Sequence, residues 1–223
     1  MNKVIVVGQG YVGLPLSISI AKAGFSVIGL DSNKNLVSDL AKGETNVEGV
    51  SKKEITKLQK KKIYRPTTNL KEVGGADIIL VCLPTPLNKK GKPDLSILNK
   101  FFSSAKKYIS SKSLVIIEST VATGFTRSLY KRMNLNNRSL SKFDLAFSPE
   151  RIDPLNKNWQ VSNTPKLVAG LTDSALNRAV LFYSKFIKEV IPCSSLEVAE
   201  TAKLVENSFR LVNISFKIGR AHV

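Results

Sequence analysis

The stretch Val-Ile-Val-Val-Gly-Gln-Gly-Tyr-Val-Gly, residues 4–13, decides the fold class of this chain of 223 residues. Its first four residues are apolar and β-branched, which predicts a buried strand over Val4–Val7. Apolar residues at helical spacing then predict a helix over Tyr11–Ala23. A strand, a glycine-rich turn and a helix in this order are typical of the first unit of a dinucleotide-binding sheet.

Three glycines, Gly8, Gly10 and Gly13, have the G-x-G-x-x-G spacing of a pyrophosphate-binding turn. The first permits the tight turn, the second lets the backbone approach a pyrophosphate, and the third lets the helix pack closely on the strand. The helix N-terminus adds unpaired N–H groups and the positive end of the helix dipole.

An acidic residue completes this fingerprint. Asp31 follows a second predicted strand, Ser26–Leu30, and lies 31 − 13 = 18 residues beyond Gly13. Its carboxylate can accept hydrogen bonds from both hydroxyls of a ribose and would repel a 2′-phosphate, so the sequence predicts NAD rather than NADP as the cofactor.

Short β-branched runs alternate with helix-length segments along the rest of the chain. Further strands are predicted over Asp77–Leu83, Leu114–Ile117, Leu145–Phe147 and Leu167–Ala169. Further helices are predicted over Leu36–Ala41, Lys53–Lys61, Leu95–Tyr108, Thr126–Met133, Asp173–Phe186 and Glu197–Phe216. This alternation predicts an α/β fold, with a Rossmann-like, doubly wound, mainly parallel sheet followed by the start of a long central helix.

The composition excludes several classes of protein. An apolar fraction of 43% and a charged fraction of 23% argue against a disordered or fibrous chain. One histidine, His222, and two cysteines, Cys82 and Cys193, leave no basis for a metal cluster, a histidine triad or a disulfide framework. We find no signal peptide and no run near the about 20 apolar residues of a membrane span, so we expect a cytoplasmic protein without a membrane partner.

The net charge of 34 − 17 = +17 raises the alternative of a nucleic-acid-binding module. Lysines are concentrated in Ser51–Lys71, where Tyr64 is the one aromatic residue. Because no nucleic-acid-binding motif accompanies them, we interpret these lysines as a solvated surface and expect no nucleic-acid partner.

Polar groups follow three of the predicted strands, where ligands bind in open parallel sheets. They are Thr85 within Cys82–Pro86, Thr120 within Glu118–Val121, and the turn Ser148–Arg151. Each could be a capped turn when considered alone, but three at one sheet edge beside a dinucleotide site favour a function. In the last helix, Lys203, Asn207 and Arg210 form one stripe, which is either a solvated face or a grip for an anionic substrate.

With these motifs assembled, the chain resembles the UDP-glucose/GDP-mannose dehydrogenase family, which oxidises the C6 alcohol of a nucleotide sugar to a carboxylate with two molecules of NAD. The resemblance covers about residues 1–216 and rests on GQGYVGLPLS (8–17), VCLPTPL (81–87), ESTV (118–121), SPERIDP (148–154) and ETAKLVENSFR (200–210). The SPER sequence resembles the corresponding motif of the branch that acts on UDP-N-acetylmannosamine, UDP-N-acetylglucosamine or UDP-N-acetylgalactosamine.

The resemblance implies a role for individual residues. Tyr11, Val12, Asp31, Thr85 and Thr120 would contact NAD, together with the three glycines. The UDP-N-acetylhexosamine would be bound by Arg151, Ile152, Lys203, Asn207 and Arg210. Lys203 would act as proton donor and oxyanion partner beside Asn207, while Glu150 and Thr120 would manage the proton or water during hydrolysis.

Two departures accompany this resemblance. Leu36 stands where many members carry an arginine near the ribose-binding acid, with Lys34 a candidate substitute. The family's nucleophilic cysteine lies in a glycine-rich motif that this chain does not contain, and neither Cys82 nor Cys193 has its flanking residues. We therefore expect this chain to be an N-terminal fragment that cannot complete the oxidation.

The resemblance also divides the chain. Residues 1–190 are expected to form the NAD-binding domain, and residues 191–216 the start of a central helical domain through which the complete protein would form a homodimer. Residues 217–223 do not resemble the family's continuation and are interpreted as a non-native tail. The alternative enzyme class is another two-domain NAD-dependent dehydrogenase, of the 6-phosphogluconate or hydroxyacyl-CoA type.

Overall fold

The computed structural model describes residues 2–135, 143–151 and 161–220, and within them eight strands form one sheet. The strands are β1 (Lys3–Val7), β2 (Ser26–Leu30), β3 (Tyr64–Thr67), β4 (Ile78–Val81), β5 (Leu114–Ile117), β6 (Asp144–Phe147), β7 (Lys166–Gly170) and β8 (Val190–Pro192). Their order across the sheet is β3-β2-β1-β4-β5-β6-β7-β8. The first six strands have the order of a dinucleotide-binding doubly wound sheet, which confirms the predicted fold class.

The sheet is parallel from β3 to β6 and reverses at one point. Strand β7 runs antiparallel to β6, pairing Phe147 with Ala169, and β8 then runs parallel to β7. The amino end of β7 therefore reaches the same sheet edge as the carboxyl ends of the six preceding strands.

Helices connect the strands. They are α1 (Gly13–Lys22), α2 (Lys34–Ala41), α3 (Lys52–Lys60), α4 (Ser96–Ala105), α5 (Phe125–Leu135), α6 (Asp173–Tyr183) and α7 (Leu196–Arg220), with a 3₁₀ turn over Leu70–Val73. Side-chain caps begin α2 at Asn33, α3 at Ser51 and α6 at Thr172, whereas no side chain caps α1. No helix in the described ranges is long and apolar enough to cross a membrane.

Each face of the sheet has its own hydrophobic core, because successive side chains of a strand point to opposite faces. In β1, Val4 and Val6 belong to the core that α1 and α6 cover, and Ile5 and Val7 belong to the core that α4 and α5 cover. Two covered faces explain why the strands are continuous apolar runs rather than alternating ones.

The sequence missed two strands, β3 and β8, and the 3₁₀ turn, and it underestimated the length of α7. Strand β3 contains Pro66 and lies at the edge of the sheet, where a residue without an N–H group is tolerated. Strand β8 includes the predicted domain boundary at residue 190. The division into residues 1–190, 191–216 and 217–223 stays a prediction, and residues 221–223 lie outside the described ranges.

Candidate functional site

Four strands end at the same level of the sheet. Val7 pairs with Val81, Val81 with Ile117, and Ile117 with Phe147. The residues that follow these four positions are Gly8, Cys82, Glu118 and Ser148, which begin the glycine turn and the three polar clusters. The register therefore brings the motifs from distant parts of the sequence to one edge.

The glycine turn has the geometry that a dinucleotide requires. Gly8 adopts φ +88°, and its N–H donates to the carbonyl of Leu30 at 2.8 Å. A Cβ on Gly13 would lie 1.7 Å from the carbonyl oxygen of Gly8, so α1 packs too closely on the turn for any side chain. A Cβ on Gly10 would meet no atom within 4 Å, which leaves the open side of the turn free for a ligand.

The first turn of α1 faces this opening. It carries no acidic residue and no side-chain cap, so its orphan N–H groups and positive dipole end are available to a phosphate. Tyr11 is 64% exposed and Val12 is half-buried beside it. These observations fit a bound pyrophosphate.

Asp31 lies half-buried next to the same turn. Its Oδ2 accepts from the N–H of Gln9 at 2.8 Å, and its Oδ1 accepts from the N–H of Asn33 at 2.9 Å. The carboxylate is thus held beside the turn, at the end of β2, where a ribose would lie.

Thr85 and Thr120 meet directly. The hydroxyl of Thr85 donates to the carbonyl of Thr120 at 2.8 Å, which joins the loop after β4 to the loop after β5. Both residues are half-buried. Two of the predicted cofactor-binding residues therefore belong to one small structural unit.

A buried charged cluster lies beneath the two loops that follow β5 and β6. Lys166 donates to Oε2 of Glu118 at 2.5 Å and to the carbonyl of Pro149 at 3.3 Å. Tyr183 donates its hydroxyl proton to Oε1 of Glu118. Burial raises the pKa of Glu118, and the positive charge of Lys166 opposes this shift. Burial alone lowers the pKa of Lys166, but the carboxylates of Glu118 and Glu150 raise it above its usual value.

Helix α7 is fixed against the loop that leads from Thr120 into α5. The carboxylate of Glu200, which is buried, accepts from the N–H of Gly124 at 2.6 Å and from that of Thr126 at 2.9 Å. One turn earlier, Glu197 accepts two hydrogen bonds from Arg127, at 2.6 and 3.1 Å. These contacts set the rotation of α7 about its axis.

The same helix meets the turn after β6. Arg151 donates to Glu206 through Nε at 3.1 Å and through Nη2 at 2.5 Å, and its Nη1 donates to the carbonyl of Pro165 at 3.3 Å. Burial lowers the pKa of Lys203, while the carboxylates of Glu206 and Glu150 oppose the shift. Lys203 therefore lies within electrostatic range of Glu150 and Arg151, and the roles that the resemblance implies for these three residues stay predictions.

The other members of the predicted site differ in their surroundings. Asn207 and Arg210 lie on the exposed part of α7. Ile152, predicted to bind substrate, lies outside the described residues. Burial raises the pKa of both cysteines, Cys82 well above its usual value, so neither thiol ionises at neutral pH.

Comparison with known proteins identifies the family in which this arrangement of residues occurs. The model of the UDP-glucose/GDP-mannose dehydrogenase family, NAD binding domain, matches residues 2–187. The chain belongs to this family. Residues 2–187 correspond to the NAD-binding domain of that family, which confirms both the resemblance and the predicted cofactor.

Relatives in the family lie at about one-third identity. UDP-N-acetyl-D-mannosamine dehydrogenase of Methanocaldococcus jannaschii is 32% identical over 220 residues, which are 96% of this chain and 49% of that protein. UDP-N-acetyl-D-glucosamine 6-dehydrogenase of Pseudomonas aeruginosa is 33% identical over 219 residues, 96% of this chain and 50% of that protein. The chain thus spans about half the length of these family members.

A solved structure of the family has the same fold. UDP-D-ManNAc dehydrogenase from Pyrococcus horikoshii superposes with a TM-score of 0.87 at 27% identity, covering 96% of this chain and 52% of that one. The residue-level roles within the family site stay predictions, because these similarities do not test them.

Sequence reasoning missed several residues that organise the site. The sequence indicates no role for Glu118 beyond its place in the motif ESTV, and none for Lys166, Tyr183 or Glu200. Each of these residues is a charged or phenolic side chain within a largely apolar segment. Because such a group is rarely buried without a partner, this position in the sequence indicates a buried hydrogen bond or ion pair. Gln9 occupies a variable position of the glycine fingerprint and carried no signal of its own.

Proposed function

We propose that this chain is the cofactor-binding half of a dehydrogenase that oxidises the C6 alcohol of a UDP-N-acetylhexosamine to the uronic acid. The names of the two relatives at 32% and 33% identity support this class of substrate. The structural observation that carries the proposal is the ion pair between Arg151 and Glu206, which holds the SPER turn against α7 next to Lys203.

NAD would be held by the glycine turn and by Asp31, with Tyr11, Val12, Thr85 and Thr120 around it. When bound, it supplies the hydride acceptor for each of the two oxidation steps. Thr85 and Thr120, which are joined by a hydrogen bond at the carboxyl ends of β4 and β5, would contact the cofactor there and orient it for hydride transfer.

Lys203 and Asn207 would act on the reacting oxygen. Loss of hydride from C6 leaves an oxygen whose proton must depart, and an ammonium and an amide can stabilise the developing charge. Because burial lowers the pKa of Lys203, its ammonium gives up a proton more easily than a solvated lysine does. This property suits a group that exchanges a proton with the substrate oxygen.

Glu150 and Thr120 would direct the water that hydrolyses the acyl intermediate to the carboxylate, once the second hydride has been transferred to NAD. Glu150 lies in the turn Ser148–Arg151 after β6, and Thr120 lies in the loop after the neighbouring strand β5. Arg151, Ile152 and Arg210 would bind the anionic nucleotide part of the substrate, for which guanidinium groups provide paired donors.

Two further parts of the proposal concern the complete protein. The chain alone would bind NAD without oxidising nucleotide sugars, because neither Cys82 nor Cys193 has the flanking residues of the family's nucleophilic cysteine. Homodimerisation through α7 would cover its exposed apolar side chains, among them Val205, Phe209 and Val212, which are 61%, 71% and 66% exposed.

The test combines binding and turnover. Calorimetry of the 223-residue chain should detect NAD binding, and absorbance at the NADH band should show no turnover with the three epimeric UDP-N-acetylhexosamines. A protein that joins this chain to a second half like that of its relatives should produce two NADH per sugar with one epimer. Steady NADH formation by the chain alone would overturn the assignment of its cysteines, and no turnover by the longer protein would overturn the substrate class.

A further inference from the structure

A buried chain of hydrogen bonds runs behind the glycine turn. Tyr64 donates its hydroxyl proton to Oε1 of Gln9 at 3.0 Å. The amide of Gln9 donates to the hydroxyl of Ser17 at 3.1 Å and to the carbonyl of Val6 at 2.9 Å. Ser17 in turn donates to the carbonyl of Gly13 at 2.7 Å.

None of these three side chains can touch a ligand. Gln9 and Ser17 are 0% exposed and Tyr64 is 1% exposed, so all three lie behind the surface that a cofactor would cover. Burial raises the pKa of Tyr64, and the nearby carboxylate of Asp31 raises it further. The phenol therefore stays protonated and keeps its role as donor.

The network joins three elements at the cofactor site. Tyr64 belongs to β3, Gln9 lies between Gly8 and Gly10, and Ser17 lies in α1. The backbone N–H of Gln9 also donates to Asp31, so the same residue connects the turn to the ribose-binding acid. The third fingerprint glycine is engaged too, through its carbonyl.

A glycine in β2 makes room for this network. A Cβ on Gly29 would lie 2.5 Å from Oε1 of Gln9 and 2.9 Å from the hydroxyl of Tyr64. Both distances are shorter than real Cβ contacts, so the network and a side chain at residue 29 exclude each other. The space at Gly29 is thus filled by the polar groups that hold the turn.

We propose that Gln9, Ser17 and Tyr64 are positioning residues of the NAD site, which hold the glycine turn and Asp31 in the conformation that binds the cofactor. The inference rests on the assignment of the glycine turn as the NAD site. A polar network that is fully satisfied and buried specifies one conformation of the backbone that it joins. When one member is lost, the turn populates other conformations. The apparent dissociation constant for NAD then rises in inverse proportion to the fraction of molecules that keep the binding conformation.

Two serines of the chain provide a matched comparison. Ser17 and Ser113 are both 0% exposed, and each donates a hydrogen bond of 2.7 Å to a backbone carbonyl. Ser113 lies just before β5, at the end of the strands opposite to the end that carries the glycine turn. Ser17→Ala and Ser113→Ala each remove one such hydrogen bond, at opposite ends of the sheet, and Ser17→Ala also removes the acceptor of the Gln9 amide.

The experiment measures NAD affinity by calorimetry and stability without NAD by thermal unfolding, for the whole chain and its variants. We expect both Ser17→Ala and Ser113→Ala to lower the melting temperature, because each removes a buried hydrogen bond. Ser17→Ala should raise the dissociation constant for NAD by about three- to tenfold, whereas Ser113→Ala should leave it unchanged. Tyr64→Phe, which removes a single hydroxyl, should weaken NAD binding in the same way and serves if Ser17→Ala does not fold.

The outcomes distinguish the positioning role of the network from the assignment of the glycine turn as the NAD site. Unchanged NAD affinity in Ser17→Ala and Tyr64→Phe, or equal losses in Ser17→Ala and Ser113→Ala, would overturn the positioning role while leaving the cofactor assignment intact. Failure of the unsubstituted chain to bind NAD would overturn the cofactor site, and the positioning role with it.

Discussion

The ammonium of Lys166 lies 2.5 Å from a carboxylate oxygen of Glu118, with side chains 8% and 0% exposed. Such a pair is expensive to break, because the remaining charge is left in the interior without a partner. Tyr183 and the carbonyl of Pro149 complete its hydrogen bonds, which ties the pair to the turn that carries Glu150 and Arg151.

Removal of one partner should therefore destabilise the fold strongly. We expect Lys166→Met to lower the free energy of unfolding by about 3–5 kcal/mol, as measured by urea denaturation. The double variant Glu118→Gln with Lys166→Met should recover part of this loss. Lys185→Met, at an exposed position, is the control and should change stability little. A loss below about 1 kcal/mol in Lys166→Met would contradict a buried, ionised pair.

Asp31 should determine a large part of the affinity for NAD. Asp31→Ala removes charge-assisted hydrogen bonds to the ribose and should weaken binding by about 1.5–3 kcal/mol. Asp39→Ala removes an exposed carboxylate from α2 and should have no effect. Calorimetry with NAD measures both, and equal affinities for Asp31→Ala and the unsubstituted chain would refute the assignment.

The ion pair between Glu197 and Arg127 should make stability depend on acid pH. Arg127 lowers the pKa of Glu197 from 4.5 to about 2 in the folded chain. Because the folded pKa is depressed, the stabilisation is present above pH 4.5 and is lost as the pH falls toward 2. The difference in melting temperature between the unsubstituted chain and Glu197→Gln should be constant above about pH 5.5 and shrink below pH 4.5. The same titration with Glu48→Gln, at an exposed position, should show no such change.

The charge of Lys203 should depend on the carboxylates around it. Glu206 and Glu150 raise its pKa against the effect of burial, so Glu206→Gln should lower this pKa further. Titration of the lysine side chains by NMR measures the shift directly. Glu48→Gln is again the control, and an unchanged pKa of Lys203 in Glu206→Gln would show that the two side chains do not interact.

Much of this fold is encoded locally. The strands β1, β4 and β5 are continuous apolar runs, and the glycine turn between β1 and α1 has a spacing that few other structures require. The shared sheet edge then follows from parallel pairing, which is why clusters as distant as Thr85 and Thr120 could be expected together before their hydrogen bond was known.

Other features depend on contacts that no local pattern encodes. Strand β3 has four residues including Pro66, and it becomes a strand by pairing with β2. Gln9 acquires its role from Tyr64, which lies 55 residues away in the chain. The partnership of Lys166 with Glu118 depends on the direction of β7, and a run of apolar residues gives no indication of strand direction.

The reversal of β7 has a consequence for how this fold can vary. A parallel strand in its place would carry its first residue at the far edge of the sheet, about 15 Å from its present position for a strand of this length. Glu118 would then lose its counter-ion and would have to be replaced by a neutral residue. The antiparallel direction of β7 is thus a condition for a charged residue at position 118, although a neutral residue there is compatible with either direction.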